Sequence, residues 1–174
     1  SMAAMAYAGA CMGVTFAGDM LTLFLFWESL TVTAATIVWC RRNERALGAG
    51  FRYMLVHAVG GLCLLAGIVL RMKATGSVEF GHIGLDGSLG NLLIFIGFGV
   101  NAAWPVLHAW LVDAYPEATY TGTVFLSAYT TKSAVYVMAR TFPGTPILIW
   151  AGAFMTCFPI FYAVIVNDMR RVLA

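Results

Sequence analysis

Two charged residues stand in the middle of apolar segments. Glu28 follows Phe24-Leu25-Phe26-Trp27, and Lys132 lies within Thr130-Thr131-Lys132-Ser133-Ala134. A charge at a bilayer centre costs about 2.5–3.5 kcal/mol even on the lenient insertion scale, so each residue needs a reason to be there. Asn101 adds an uncharged polar group at the middle of a third segment. Polar groups at one depth on separate helices can meet as a lateral line, and the chemistry such a line supports is proton or ion movement. The charge each residue holds then depends on the distance to the other, so a change in separation moves a proton on or off Lys132. The alternative is a single buried Glu28–Lys132 ion pair that fixes packing, although apolar packing is often as stable as such a pair. His108, beside Trp110 at the end of the Asn101 segment, reads as a proton entry point or as an interfacial residue. His57 reads as a packing histidine, and His82, Glu79 and Asp86 as solvated loop residues.

The elements that must position these groups follow from composition. Of 174 residues, 61% are apolar and 10% charged, against roughly 25% charged in a soluble domain. About 20 apolar residues cross a bilayer as a helix. Six segments meet that length, at about 2–17, 20–39, 51–70, 92–111, 122–140 and 145–167. Charged or turn-forming residues separate them, and the segments do not alternate as barrel strands would. The expected fold is an all-α membrane bundle of six spans forming a single transmembrane domain. The fourth span is interrupted near Pro105, because proline removes a helix hydrogen bond and clashes with the carbonyl of residue i−4, here Asn101. Pro159 reads as a plain kink. Gly9, Gly13 and Ala17 form a small-residue stripe suited to helix assembly.

Charge placement predicts orientation. Arg41, Arg42, Arg45, Arg52, Arg170 and Arg171 fall on the side holding both ends of the segment, whereas Arg71, Lys73 and Arg140 fall on the other. That places both termini of the segment in the cytoplasm. The formal net charge of +2 gives no basis for nucleic-acid binding. Cys11, Cys40, Cys63 and Cys157 stand too far apart for a zinc or disulfide pattern. The sequence shows no phosphate loop, nucleophile–base pair or metal-ligand spacing, so no catalytic residue, metal or cofactor is expected.

Four runs carry a family resemblance. Gly18-Asp19-Met20 through Trp27-Glu28 resembles the glutamate helix of antiporter-like subunits. His108-Ala109-Trp110-Leu111-Val112-Asp113-Ala114, continuing to Glu117-Ala118, is similar to their H-x-W-L-P-D-A…E-A signature. Thr131-Lys132-Ser133-Ala134-Val135-Tyr136 resembles their L-K-T-A-A-Y helix, and Asn167-Asp168-Met169-Arg170-Arg171-Val172-Leu173-Ala174 their x-D-x-K-R-x-L-A run. The family is the proton-translocating subunits of respiratory complex I, shared with Mrp-type Na⁺/H⁺ antiporters and membrane-bound hydrogenases. The resemblance implies helices four to nine of a roughly fourteen-helix subunit, with Glu28 as the essential glutamate and Lys132 as the lysine bridging toward a second half-channel. Asn101 stands where many members carry a lysine, and Val112 replaces the motif's proline.

The expectation is a multi-pass subunit of the cell inner (plasma) membrane, a fragment or half of a longer antiporter-like chain. It conducts protons or exchanges H⁺ for Na⁺ through Glu28, Lys132, Asn101 and His108, with Pro105 marking the helix interruption. Its partners are the lipid bilayer, other membrane subunits, H⁺ and Na⁺. Redox chemistry of an NADH/quinone oxidoreductase-like or hydrogenase-like complex belongs to those other subunits. The competing expectation is a diverged homologue that serves assembly without transport.

Overall fold

The computed structural model describes residues 2–173 and contains eight helices among them. They are α1 (Met2–Phe16), α2 (Met20–Trp39), α3 (Glu44–Thr75), α4 (Leu89–Asn101), α5 (Ala109–Ala114), α6 (Tyr120–Thr141), α7 (Pro146–Ile165) and α8 (Met169–Leu173). Capping side chains fix four of the starts. Asp19 accepts from the amides of Leu21 and Thr22, Asn43 from Ala46, Ser88 from Asn91 and Thr119 from Gly122. Each cap satisfies amides that the first helical turn leaves without partners. α3 ends on Gly76 in the left-handed region (φ 70°), a conformation that glycine adopts without a steric penalty.

Three helices, α2, α3 and α7, are long and apolar enough to cross a membrane, and α1 and α4 are shorter apolar helices. α6 has 22 residues but carries Thr121, Thr123, Ser127, Thr130, Thr131, Lys132 and Ser133 along its length. Contacts run α1 to α2, α2 to α3, α3 to α4, α4 to α6 and α6 back to α1, so these five helices form a closed ring, with α5 against α3. α7 buries none of its residues. Polyleucine-like stickiness does not hold helices together in lipid, where close backbone approach matters more. The seam between α3 and α4 shows that approach. A Cβ at Gly67 would lie 2.7 Å from the Gly90 carbonyl oxygen and the Ile94 amide nitrogen, and one at Gly97 would lie 2.9 Å from the Gly60 carbonyl oxygen. The α1 stripe is less uniform, since Gly13 meets Phe26 of α2 while Gly9 faces open space.

The 76–88 connection folds back onto the bundle end. The Met20 amide donates to Val78 O and the Phe80 amide to Gly18 O, and both the Ile83 and Gly84 amides donate to Thr141 O. Arg140 reaches the carbonyls of Ala17 and Phe80 and lies over the Phe80 ring. At the opposite end, Arg41 pairs with Glu117 and Arg52 with Asp113.

Two element boundaries differ from the sequence expectation. The segment read as 51–70 is a helix of 32 residues starting at Glu44, because the Asn43 cap starts the helix inside the polar run. The segment read as 92–111 stops being helical at Asn101 and resumes at Ala109. Ala103 and Val106 take positive φ values of 57° and 74° in the intervening stretch. The interruption is therefore a break of several residues around Pro105, more than a bend in a continuous helix.

Candidate functional site

Glu28 is the ninth of the 20 residues of α2 and is half-buried. Its carboxylate points at α3, where the Oε1 oxygen occupies the space a side chain at Gly61 would need. That oxygen is buried and accepts no hydrogen bond. Burying an ionisable oxygen without a partner is expensive in any protein and more so in hydrocarbon.

One turn before Gly61 on the same helix lies His57, fully buried. With α3 beginning at Glu44, His57 is the fourteenth of 32 residues and so sits near the helix middle, deeper than the sequence segment suggested. Its Nδ1 lies 2.9 Å from the Tyr53 carbonyl oxygen. A carbonyl can only accept, so Nδ1 carries the hydrogen and the neutral ring offers its lone pair at Nε2. Nε2 has no partner. The ring stacks on Tyr53 with centroids 3.9 Å apart and meets the Trp110 face edge-on at 4.5 Å. The ring contacts agree with the sequence reading of His57 as a packing residue, and Nε2 is left without a protein partner.

The broken helix closes the third side. Trp110, from α5, donates its indole N–H to the Val100 carbonyl at 3.0 Å, adding a second bond to a carbonyl that also accepts from the Ala103 amide. Val100 in turn packs where a Cβ on Gly60 would sit, 3.0 Å away. Asn101, 1% exposed, is the last residue of α4, and its Oδ1 is unpartnered. Trp27 Nε1 and the Tyr53 hydroxyl are also buried without partners. All five such atoms found among the described residues therefore belong to α2, α3 and α4. Native interiors leave few such groups, and each calls for a partner, a bound water or a functional role. Beyond Tyr53, the Tyr7 hydroxyl is hydrogen-bonded to Thr130 Oγ1 on α6, and the Tyr115 hydroxyl donates to the Leu126 carbonyl.

The remaining sequence candidates lie elsewhere. Lys132, the thirteenth of 22 residues of α6, is on an exposed face. Among the described residues it makes no ion pair, and no Glu28–Lys132 pair is formed. His108 caps α5 without a side-chain hydrogen bond and turns toward α7, its ring 5.5 Å from that of Phe158. With Pro105, Asp113, Phe158, Pro159 and Tyr162 it lines a cavity of about 420 Å³ between the break and α7. Trp110 and His108 thus face opposite sides of one short helix. Sequence reasoning missed Gly61, Tyr53 and the bare face of His57; the available signal was the His57-Gly60-Gly61 spacing, which places a titratable ring and two side-chain-free positions on one helical face.

A closed ring of apolar helices, a broken fourth span and a half-buried carboxylate within an apolar helix are the features of a multi-pass membrane protein. Residues 17–174 match the family model described as NADH:quinone oxidoreductase/Mrp antiporter, TM, and the chain belongs to that family of antiporter-like subunits. It is 28% identical over 145 residues to NADH-quinone oxidoreductase subunit N of Deinococcus radiodurans, covering 77% of this chain and 30% of that protein. It is 26% identical over 186 residues to an Na(+)/H(+) antiporter subunit of Bacillus subtilis, covering 97% of this chain and 23% of that protein. The chain thus spans less than a third of the length of these relatives. Its fold superimposes on a chain of the Mrp complex from Dietzia with a TM-score of 0.86 at 21% identity, over 97% of this chain and 35% of that one.

Proposed function

We propose that this chain is part of an antiporter-like subunit that conducts protons, or exchanges H⁺ for Na⁺, within a multisubunit membrane complex. The observation that carries the reading is the Glu28 carboxylate, held at mid-depth against Gly61 with a buried oxygen that no protein group satisfies. An acid kept there at such cost is of use if it gains and loses a proton. The break after Asn101 supports the same reading, since irregular backbone at membrane depth is tolerated where it lines a cavity or is enclosed by protein.

Lys132 takes the next position in the relay. An ammonium on an outward face of a membrane helix needs protein or water against it, and the chain covers only a fraction of its relatives' length. The reading therefore sets Lys132 against further helices of the same subunit, and Glu28 acts on it across the bundle and not by direct pairing. His108, at the cavity beside Pro105, serves proton entry from the side that carries Arg41, Arg52 and Arg170. That side is the cytoplasm and the membrane is the cell inner membrane, by the charge asymmetry. Redox cofactors reside in other subunits.

The test is H⁺ movement in vesicles bearing the whole complex. Glu28→Gln and Lys132→Met are each expected to abolish ΔpH-driven or Na⁺-linked H⁺ movement while the complex still assembles. Unchanged flux in both variants would overturn the reading. The absence of a Glu28–Lys132 pair and the uncharged Asn101 favour a second reading, a subunit that serves assembly alone, for which both variants would lose assembly and not flux specifically.

A further inference from the structure

We infer that His57 is a proton-carrying station of the site, placed between Glu28 and the broken helix and supplying the ionisable group that Asn101 lacks. The inference rests on the proton-conducting reading above.

Three observations converge on the ring. First, His57 is fully buried at mid-helix and its Nδ1–H is committed to Tyr53 O, which orients the ring and leaves the Nε2 lone pair free. A buried nitrogen that no protein group satisfies calls for a bound water or a proton-transfer partner. Second, the neighbours on α3 are glycines. Gly61, one turn on, is where the Glu28 oxygen rests, and Gly60 receives Val100, the residue next to Asn101. Positions one turn apart on a helix have their Cβ atoms about 5–6 Å apart, and the ring leans back over Tyr53, so the acid reaches the ring across a bridging water. Third, the Asn101 amide can relay a hydrogen bond but cannot take up a proton, and its Oδ1 is itself unpartnered.

The groups packed around the ring introduce no competing cation. On its own helix it meets Tyr53, and on α5 it meets Trp110 with Tyr115 behind. On α6, Thr130 is hydrogen-bonded to Tyr7 of α1, and the unpartnered polar side chains of α4 and α2 are Asn101, Trp27 and Glu28. Glu28 supplies the one carboxylate oxygen among those unpartnered atoms of the described residues. The step is a simple exchange. A proton leaves the neutral Glu28 carboxyl group for a bridging water, which passes one of its own to the His57 Nε2 lone pair, giving carboxylate, water and imidazolium. The imidazolium then passes that Nε2 proton to a further water hydrogen-bonded by the Asn101 amide at the break and returns to the neutral ring, while Glu28 is reprotonated from its own side. Tyr53 O holds the Nδ1 hydrogen throughout.

The test uses the intact complex in proteoliposomes. His57→Gln preserves bulk and hydrogen bonding but cannot ionise. It is expected to lower H⁺ flux by about a hundredfold, the scale of one lost acid–base group, and to remove one ionisation from the pH profile of flux. Adding Asn101→Lys to that variant restores flux by returning a cation to the break. Flux in His57→Gln within twofold of the parent, with Glu28→Gln inactive, overturns the inference and leaves the proposed function standing. Full flux in both overturns the proposed function and the inference with it. Should His57→Gln fail to assemble, His57→Ala is assayed with added imidazole or with pyrazole, which has the same shape but is a far weaker base. Rescue by imidazole alone supports the inference, and equal rescue by both, or by neither, overturns it.

Discussion

The same substitution, glycine to alanine, should have opposite consequences six residues apart on α3. At Gly67 the new methyl carbon would stand 2.7 Å from two backbone atoms of α4, the Gly90 oxygen and the Ile94 nitrogen. Backbone cannot rotate away, so the seam must open until those contacts reach at least the 3.4 Å of ordinary van der Waals approach. Overpacking of this kind costs about 1–3 kcal/mol. The gain in helix propensity from alanine is about 1 kcal/mol, so Gly67→Ala is destabilised by up to about 2 kcal/mol. At Gly61 the obstacle is the end of the Glu28 side chain, which can swing aside. Gly61→Ala should therefore melt at or slightly above the parent temperature, yet lose flux because the carboxylate no longer rests on the turn that carries His57. Thermal unfolding of the purified complex in detergent gives the first quantity and H⁺ flux in proteoliposomes the second. A Gly67→Ala complex more stable than the parent would refute the backbone-contact argument. A Gly61→Ala complex with full flux, where Glu28→Gln has none, would refute the placement of the carboxylate.

Trp110→Phe keeps an aromatic ring against His57 but loses the indole donor to Val100 O. A loss of about 0.5–1.5 kcal/mol is expected in thermal unfolding, and unchanged stability would mean that the break holds its shape without that bond. Asp19→Ala removes the cap of α2, where the carboxylate accepts from the Thr22 hydroxyl at 2.6 Å and from two amides, and should cost about 0.5–2 kcal/mol. The Thr22 hydroxyl first, then the Thr22 and Leu21 amides, hold the Asp19 carboxyl below its ordinary range. The native state thus favours the ionised form, and the stabilisation is full above about pH 4, the unfolded value, and fades as pH falls through the lower native one. The parent should lose that increment on acidification while Asp19→Ala shows none to lose; parallel acid melting curves would contradict it.

The class of fold is legible in composition because lipid imposes it. Backbone groups have no water to bond with in the bilayer core, so apolar runs of this length fold as helices and charges inside them stand out. Glu28 and Asn101 could be picked out for that reason, and Pro105 could be placed at a break because its ring excludes the helical bond. The partners of those residues were not legible. Pairing Glu28 with Lys132 treated equal depth as proximity, but rotation about the helix axis decides proximity. α6 turns Lys132 outward, while α2 aims Glu28 at α3.

What the sequence determined by itself is the periodic and compositional part: helices, membrane depth, the place of the interruption and the charge asymmetry between the two ends. Tertiary structure alone decided which groups meet. Glycines at 60, 61, 67, 90 and 97 carry no pattern of polarity, yet they let α3 and α4 approach to backbone contact and let a carboxylate lie on a helix surface. His57 changes meaning for the same reason. Its residue type permits packing or proton transfer, and tertiary structure adds that the Tyr53 carbonyl holds one nitrogen while the second has no protein partner.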